Sequence, residues 1–436
     1  MPWAPPAQPP FEFAVMSRLT QDLSLSQGVG LLTTSLLGTG IFIVPAVAAS
    51  QAGEASLWAW LLLILMVLPI AFTFAQLGKR FPHAGGAPSL IGRAFGPRME
   101  RGIAFMFLAV IPVGLPAALK MASGFWHALT DLTPGEELII QLLSLGLMLA
   151  LGQRPARASG KIQTGIAVLI IATVAAIWWA GDLPSAEVPV LSLADFSWGA
   201  LPAALAVMFW CFVGIEAFTH LGEEFRNPQH DFPLALLIGV VLAGLVYWAF
   251  SVAVLSFGVY GDAQTNGASL PLLIGQLWGV KLSGLAAMIG YLACFASINI
   301  YVQGFARLVW SLADEGKLPS ALAQRNGHGM PGRALNLVIA GCVISVVLAW
   351  WNTVPVDELI RYANGIFVLV YLFSMAAGWM LLRGVWRYLA GLSTLLCAVT
   401  MLTLGMQMLY AIAVLLGFLL LGHLRRPLIL KPRRPL

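Results

Sequence analysis

The stretch 31-LLTTSLLGTGIFIVP-45 decides the fold, because it interrupts an apolar run that extends from Leu25 to Ser50. A run of this length is long enough to cross a bilayer as a helix. Glycine inside a helix costs about 1 kcal/mol relative to alanine, and here Gly38 and Gly40 flank Thr39. The pattern therefore predicts a membrane helix that unwinds near its middle.

A second stretch, 209-FWCFVGIEAF-218, lies within the sixth apolar run, Trp198–Leu221. A single glycine in a membrane helix is usually a packing residue. Here the interruptions occupy corresponding positions if spans 1 to 5 and spans 6 to 10 form two halves of a repeat. Paired interruptions of this kind indicate a transport site near the middle of the membrane.

Composition places the whole chain in lipid. Of its 436 residues 59% are hydrophobic and only 10% are charged, whereas soluble proteins carry about 25% charged residues. A soluble enzyme is therefore excluded. The net charge of +5 does not indicate a nucleic-acid partner in such a chain. Its four cysteines lie in apolar runs without metal-ligand or disulfide spacing, so we expect no metal and no cofactor.

Apolar runs bounded by charge, proline or glycine predict twelve spans in one transmembrane domain, residues 25–424. Repeat 1 is expected at about 25–181, repeat 2 at about 198–382 and two further helices at 388–424. Only Gly405 separates the last two spans, so eleven spans stay possible. The predicted bounds are Leu25–Ser50, Leu57–Leu77, Ile103–Leu129, Glu137–Leu151, Ile162–Ala180, Trp198–Leu221, Phe232–Phe257, Leu282–Trp310, Ala334–Trp351, Leu359–Leu382, Tyr388–Leu404 and Met406–Leu424.

The positive charges fix the predicted orientation. When the loops are numbered alternately, 21 of the 24 basic residues fall on one side, which the positive-inside rule assigns to the cytoplasm. Both termini are then cytoplasmic, in a multi-pass protein of a bacterial inner membrane. Residues 1–24 are expected to form a tail. Its first fifteen residues lack the features of a signal peptide, and because Met16-Ser17-Arg18 resembles an ordinary start, whether they belong to the native protein stays open.

The basic tail, residues 425–436, contains five positive charges. Such a cluster at a membrane surface suits anionic lipid headgroups. Fixing the orientation of the protein in the membrane is an alternative role that would account for the same charges.

The two interruptions suit an amino acid as ligand. Its carboxylate could accept hydrogen bonds from N–H groups near Gly40, Ile41 and Phe42, at the positive end of a half-helix. Its ammonium could donate to carbonyls of span 6 near Trp210, Cys211 and Phe212. The surrounding side chains are apolar, and an unpaired charge buried among them would cost several kcal/mol. We therefore expect a neutral, apolar amino acid.

Few charged residues are predicted inside the spans, and each is a candidate functional residue by default. Glu216 is a candidate proton carrier, although it could instead cap amides at the start of a half-helix. Lys120 is a second candidate for coupling, or it could extend to the outer surface. Asn299 and Asn364 could face a cavity or hydrogen-bond between helices, and His220 is expected at the cytoplasmic interface.

The order of these motifs resembles the amino acid–polyamine–organocation (APC) transporters. Gly38–Phe42 is similar to the family's G-S-G-I-F interruption, and Glu223–Pro233 is similar to its E-E-x-x-N-P-x-x-x-x-P loop. The segment RLVWSLADEGKLP, residues 307–319, resembles the loop after the eighth helix. The segments 110–119, 206–218, 290–297 and 362–367 resemble those members that export L-methionine and branched-chain amino acids.

The resemblance implies an all-α fold of five plus five inverted helices, interrupted in helices 1 and 6, with two helices added. It also implies efflux driven by protons, with Trp210 as a gate. Several members carry a lysine in helix 5 that replaces a sodium ion, but here that helix is expected to be apolar after Lys161. The resemblance places Gly38, Thr39, Gly40, Ile41, Trp210, Cys211, Phe212, Val213 and Gly214 against the substrate.

The sequence hypothesis is thus a secondary transporter that exports methionine, leucine, isoleucine and valine, without enzymatic activity. An importer or exchanger of the same family is an alternative, since the binding site does not fix the direction of transport. A non-transporting amino-acid receptor is another. A multi-pass membrane enzyme would need convergent catalytic groups, and only scattered ones occur. The oligomeric state stays open.

Overall fold

A computed structural model describes residues 21–127, 130, 132–154, 156–185, 201–354, 356–403 and 408–424. Within these ranges the chain is helical, and the only β-type pairing is an isolated bridge between Leu23 and Phe225. The predicted all-α class is confirmed. The tail 425–436, most of the tail 1–24 and the boundary at Gly405 lie outside the described residues.

The spans follow one another as helices whose bounds differ by a few residues from the sequence prediction. Helix Gly86–Phe95 lies between spans 2 and 3, and helices Ala263–Gly267 and Ser269–Trp278 lie between spans 7 and 8. Seven described helices are long and apolar enough to cross a membrane alone; the interrupted spans cross as pairs of shorter ones. The bounds are Leu25–Leu37 with Val44–Ala52 (span 1), Ala55–Arg80 (span 2), Pro97–Leu108 with Gly114–His127 (span 3), Pro134–Gly152 (span 4), Ala156–Ala180 (span 5), Leu201–Met208 continuing to Glu224 in short segments (span 6), Asp231–Ser256 (span 7), Ser283–Asp314 (span 8), Gly332–Trp351 (span 9), Val356–Leu381 (span 10), Val385–Thr403 (span 11) and Met408–Leu424 (span 12).

Both predicted interruptions are confirmed. Span 1 leaves the helix at Gly38 and resumes at Val44, with Pro45 in the first turn of the new helix. Span 6 ends its 3₁₀ turn at Phe212 and restarts at Ile215. Between them Gly214 has φ +136°, a conformation that side chains with a Cβ rarely adopt.

Span 3 contains a third interruption that the sequence analysis did not predict. The first helix ends at Leu108, and a turn at residues 109–113 precedes the second helix. Pro112 lies in this turn and has no N–H group to continue a helix. The prediction of one continuous span, Ile103–Leu129, was therefore wrong, and the span also begins earlier, at Pro97.

The start of span 1 is tied to the loop after span 6. Ser24 and Gln27 form a reciprocal capping box at the helix start. The Leu23 N–H donates to the Glu224 carbonyl at 2.9 Å, and the Arg226 N–H donates to the Leu23 carbonyl at 3.0 Å. Leu23 is fully buried, so the packed domain begins before Leu25 and the predicted tail, residues 1–24, extends too far.

A buried ion pair lies beside this contact. The Arg307 guanidinium of span 8 contacts the Glu224 carboxylate through two nitrogens, with Nη2 to Oε2 at 3.0 Å, and both side chains are almost fully buried. Arg307 also donates to the Gln303 carbonyl at 3.1 Å. The prediction that only Glu216 and Lys120 are charged within the spans is therefore wrong for Arg307, which lies inside a helix and not in a loop.

We expect Glu224→Gln to destabilise the fold by about 3–5 kcal/mol, because it leaves Arg307 charged and buried without its partner. Thermal unfolding of the detergent-solubilised protein measures the change. Glu54→Gln, at an exposed position, is the matched control and should unfold like the native chain. The double variant Glu224→Leu with Arg307→Met should recover most of the loss, and failure to do so would contradict the assignment of the loss to the unpaired charge.

Candidate substrate site

A cavity of about 400 Å³ lies where the interruptions of spans 1, 3 and 6 meet spans 8 and 10. This volume includes space that is open to solvent. None of the described residues that line the cavity is charged. The lining residues are Thr39, Val110, Gly114, Leu115, Ala118, Trp210, Val213, Ser297, Ile298, Tyr301 and Phe367.

Side chains from neighbouring spans hold the freed carbonyl groups of span 1. The Tyr247 hydroxyl donates to the Leu36 carbonyl at 2.7 Å, and the Cys294 thiol donates to the Gly38 carbonyl at 3.4 Å. Two serines complete the set, with Ser297 on the Ser35 carbonyl at 2.7 Å and Ser269 on the Phe42 carbonyl at 2.5 Å. Unwinding inside a membrane is tolerated only with such partners, so spans 7 and 8 stabilise the interruption.

The amides of this interruption are arranged differently from the sequence expectation. The N–H groups of Gly40 and Ile41 both donate to the Leu37 carbonyl, at 3.3 and 2.9 Å. In this conformation two of the three amides expected to bind a carboxylate thus already have an acceptor. The residue that faces the cavity is Thr39, whose hydroxyl accepts a hydrogen bond from Trp210 Nε1 at 3.3 Å.

Gly40 is enclosed by neighbouring spans. A Cβ at this position would lie 2.5 Å from the Tyr247 hydroxyl oxygen and 2.9 Å from Cys211 Sγ. Because both side chains are fully buried, neither has room to move aside. The contact lets span 1 approach spans 6 and 7 closely at the interruption, and it explains why glycine is required here.

Glu216 caps the second half of span 6. Its Oε2 accepts the Gly214 N–H at 2.9 Å, and its Oε1 accepts the Tyr301 hydroxyl at 2.8 Å. The Tyr371 hydroxyl of span 10 donates to the Phe212 carbonyl at 2.8 Å. Glu216 thus binds a backbone amide at the start of this half-helix, as the capping alternative expects, and Tyr301 joins this carboxylate to the wall of the cavity.

Trp210 closes one end of the cavity. Its indole N–H bonds to Thr39, and its ring packs edge-on against Phe367 with centroids 6.1 Å apart. Phe367 in turn contacts Tyr301 at 5.8 Å between centroids. The indole therefore joins the two interrupted spans to span 10, which is the placement that a gate requires.

The structure brings together part of the predicted substrate set. Thr39, Trp210 and Val213 line the cavity, as do Gly114 and Leu115 of the segment 110–119 that resembles the family. The other members form the backbone and packing behind that wall: Gly38, Gly40, Ile41, Cys211, Phe212 and Gly214.

Eight lining residues were not named as site residues: Val110, Gly114, Leu115, Ala118, Ser297, Ile298, Tyr301 and Phe367. A signal for six of them was present in the segments that carried the family resemblance. Four lie in the segment 110–119, and Ser297 and Phe367 end the segments 290–297 and 362–367. Tyr301 and Tyr371 had no such signal, since a tyrosine in an apolar run resembles any interfacial aromatic residue.

Other polar residues lie away from the cavity. The Lys120 ammonium donates to the Val354 carbonyl at 2.8 Å, in a separate pocket that Glu137 and Gln141 also line. Asn299 is buried within span 8 and Asn364 is half-buried in span 10; neither is among the residues lining the cavity.

One sequence expectation about polar residues was wrong. Gln163, fully inside span 5, accepts from Thr34 at 2.7 Å and donates to the Ala296 carbonyl at 3.0 Å. Span 5 is therefore not apolar after Lys161, because this amide links it to spans 1 and 8. His220, expected at the cytoplasmic interface, is fully buried within the protein.

Comparison with known proteins identifies the family. The family model described as amino acid permease matches residues 23–423. The chain belongs to this family. Its all-α architecture of about twelve spans is that of a membrane transporter of the APC type, which confirms the resemblance noted in the sequence.

Several relatives carry functional names. The L-methionine/branched-chain amino acid exporter YjeH of Escherichia coli K12 is 50% identical over 93% of this chain and 97% of its own length. The cadaverine/lysine antiporter of the same strain is 24% identical over 80% of each chain. The serine/threonine exchanger SteT of Bacillus subtilis is 23% identical over 82% of this chain and 84% of its own.

We expect Gly40→Val to abolish binding of methionine while the protein stays in the membrane, because the new side chain would collide with Tyr247 and Cys211. Binding to the purified variant and its abundance in membranes measure the two effects. Gly146→Val is the matched control, since a Cβ there meets no atom within 4 Å. Native affinity in Gly40→Val would contradict the site assignment.

Proposed function

We propose that this protein exports neutral, apolar amino acids, namely methionine, leucine, isoleucine and valine, from the cytoplasm of a bacterium by proton antiport. The observation that carries the proposal is the cavity at the interrupted spans, whose described lining contains no charged side chain. The 50% identity to YjeH supports the same substrate class. The proposal places the protein in the inner membrane with both termini in the cytoplasm.

The cavity favours an apolar substrate side chain for an electrostatic reason. A zwitterion carries one charge of each sign, and the polar groups of the interrupted backbone can pair with both. A lysine side chain would add a third charge among Val110, Leu115 and Phe367, where it would have no acidic partner. Burying an unpaired charge costs several kcal/mol, so the wall selects against cations.

Substrate loading requires the backbone contacts at the interruptions to change. The Phe212 carbonyl is taken by Tyr371, and the amides of Gly40 and Ile41 point to Leu37. We propose that the substrate ammonium competes with Tyr371 and that its carboxylate competes with the Leu37 carbonyl. Because the Phe212 carbonyl belongs to span 6 and the Leu37 carbonyl belongs to span 1, one zwitterion would loosen both spans together.

Two contacts close the cytoplasmic side in this conformation. They are the bridge between Leu23 and Phe225 and the ion pair between Glu224 and Arg307. Both join the loop after span 6 to other spans, so a substrate entering from the cytoplasm would require them to separate. We propose that their separation and re-formation, together with movement of Trp210, give alternating access to the cavity.

Glu216 is the proposed proton-binding group. It is fully buried, and it contacts the cavity wall through Tyr301, so a change at the substrate alters its hydrogen bonds directly. When Glu216 is protonated it can no longer accept from both Gly214 and Tyr301 as a carboxylate does. Lys120, in the separate pocket, is the second candidate of the sequence analysis, and its bond to a carbonyl favours a role in positioning the outer loop.

We expect proteoliposomes containing the protein to transport labelled methionine and leucine, with lysine and cadaverine transported at least about tenfold more slowly. A difference of 1.4 kcal/mol is a factor of ten, which is less than the expected cost of an unpaired charge. Empty liposomes provide the control. Lysine transport equal to that of leucine would refute the argument from the apolar wall.

The direction is tested in oriented vesicles with and without a proton gradient. Efflux that accelerates when the outside is acidic supports proton antiport, whereas transport driven only by an opposing amino acid would favour an exchanger. Binding without flux would favour a receptor.

We expect Glu216→Gln to retain methionine exchange and to lose the dependence of efflux on the proton gradient. Glutamine can still accept the Gly214 N–H through its amide oxygen, so the cap is preserved while titration is removed. The rate of efflux as a function of pH measures the effect. Glu54→Gln should behave like the native chain, and a Glu216→Gln variant with native pH dependence would remove this residue from coupling.

A further inference from the structure

Three titratable side chains follow one another at four-residue spacing along the cytoplasmic half of span 6. They are Glu216, His220 and Glu224, and each is fully buried. Glu216 lies in the short α-helix Ile215–Phe218, and the other two lie in the 3₁₀ segment Thr219–Glu224 that follows it, so the three share one short stretch of backbone. The row therefore extends from the carboxylate beside the cavity to the ion pair that closes the cytoplasmic side.

His220 is the central member and has a defined tautomer. Its Nδ1 lies 2.9 Å from the Ala84 carbonyl oxygen. Because a carbonyl only accepts, Nδ1 carries the hydrogen and Nε2 carries a lone pair. The ring stacks on Phe107 at 5.7 Å with an angle of 6° between the planes, which fixes its orientation.

The Nε2 atom is buried without a hydrogen-bond partner among the described residues. Buried polar atoms of this kind are rare in native proteins, and each calls for an explanation. Among the buried side-chain atoms without a partner in the described residues, this is the only imidazole nitrogen, and its free lone pair can receive a proton.

The charged and titratable groups around His220 come from three elements. Arg307 faces it from span 8, His83 faces it from the loop between spans 2 and 3, and Glu216 and Glu224 lie on its own span. Arg307 is compensated by Glu224. Burial lowers the pKa of His83, so at neutral pH this neighbour is uncharged. Burial disfavours the protonated form of His220, and repulsion by Arg307 adds to this effect and increases whenever Glu224 separates from Arg307.

Span 8 leaves room at the edge of the ring. Gly304 lies opposite His220, and a Cβ at that position would lie 3.8 Å from His220 Cδ2 and 3.6 Å from the Ala217 carbonyl oxygen. No side chain therefore separates the backbone of span 8 from this edge. When spans 6 and 8 move apart, water can reach the neighbourhood of Nε2 before any other side chain does.

We propose that His220 carries the coupled proton between Glu216 and the cytoplasm, an inference that rests on the proposed proton antiport. In the closed conformation no hydrogen bond joins Glu216 to His220 Nε2. When the Glu224–Arg307 pair separates and water enters, the O–H bond of protonated Glu216 breaks and an N–H bond forms at Nε2 through a bridging water, which leaves a carboxylate and an imidazolium. That N–H bond then breaks and the proton passes to cytoplasmic water. His220 then returns to its neutral tautomer, with Nδ1 still bonded to Ala84.

The test compares His220→Asn with the native protein in proteoliposomes. The asparagine amide can donate to the Ala84 carbonyl in place of Nδ1, but it does not titrate. Methionine exchange at equal pH should be unchanged. Efflux driven by the proton gradient, together with proton uptake reported by a trapped pH-sensitive dye, should fall by at least about 100-fold, the lower end of what a positioned proton-transfer group contributes.

The control is His230→Asn, which removes an exposed histidine from the loop after span 6 and should change neither measurement. Native proton coupling in His220→Asn would overturn the relay. Loss of exchange as well as coupling, in both His220→Asn and His220→Gln, would assign His220 to structure and also overturn it. If the native protein itself shows exchange but no proton-driven efflux, the proton antiport fails and the relay with it.

Discussion

The structure depends on one constraint, the need to satisfy every backbone polar group that the interruptions expose in the middle of a membrane. Water is scarce there, and an unpaired amide or carbonyl costs several kcal/mol. Four side chains from spans 7 and 8 and from helix Ser269–Trp278 bind the carbonyls of span 1. Glu216 and Tyr371 bind backbone groups of span 6. The interruptions are thus stabilised by their neighbours, and the same backbone groups become available to a substrate when those neighbours move.

The arrangement makes the transport site inseparable from the packing of the fold. Tyr247 bonds to the Leu36 carbonyl and also limits the space at Gly40. Ser297 lines the cavity and binds the Ser35 carbonyl. Residues that hold the fold and residues that shape the cavity are therefore largely the same. A substitution at Tyr247 or Ser297 therefore removes a contact and also changes the equilibrium between conformations.

Much of the fold was predictable from sequence because its signals are local. The length of each apolar run, the side on which basic residues lie and the glycines at residues 38, 40 and 214 are all visible without knowledge of tertiary contacts. The interruption of span 3 also had a local signal in Pro112, but an isolated proline is common in membrane helices and had no counterpart in the other half of the chain.

The contacts that were missed join residues far apart in sequence. Glu224 pairs with Arg307, Glu216 with Tyr301, and Gln163 with Thr34. No spacing rule connects such positions, and Arg307 looks like a loop residue because it lies near the end of its helix. The count of charges placed the chain in lipid, but it could not show which charges were buried against each other.

The proposed proton antiport combines an apolar substrate site with coupling to an ion, and the buried charges are placed to serve both. The cavity wall contains no charged side chain in its described lining, so it does not attract protons or cations by itself. Glu216 lies one hydrogen bond behind that wall, and the Glu224–Arg307 pair lies at the cytoplasmic closure. Tyr301 is the link, because its hydroxyl binds Glu216 while its ring packs on Phe367, which in turn contacts Trp210. The Glu216 carboxylate therefore does not line the cavity, and the Tyr301 side chain lies between the two. Substrate selectivity and the proposed proton coupling can thus be set by different residues.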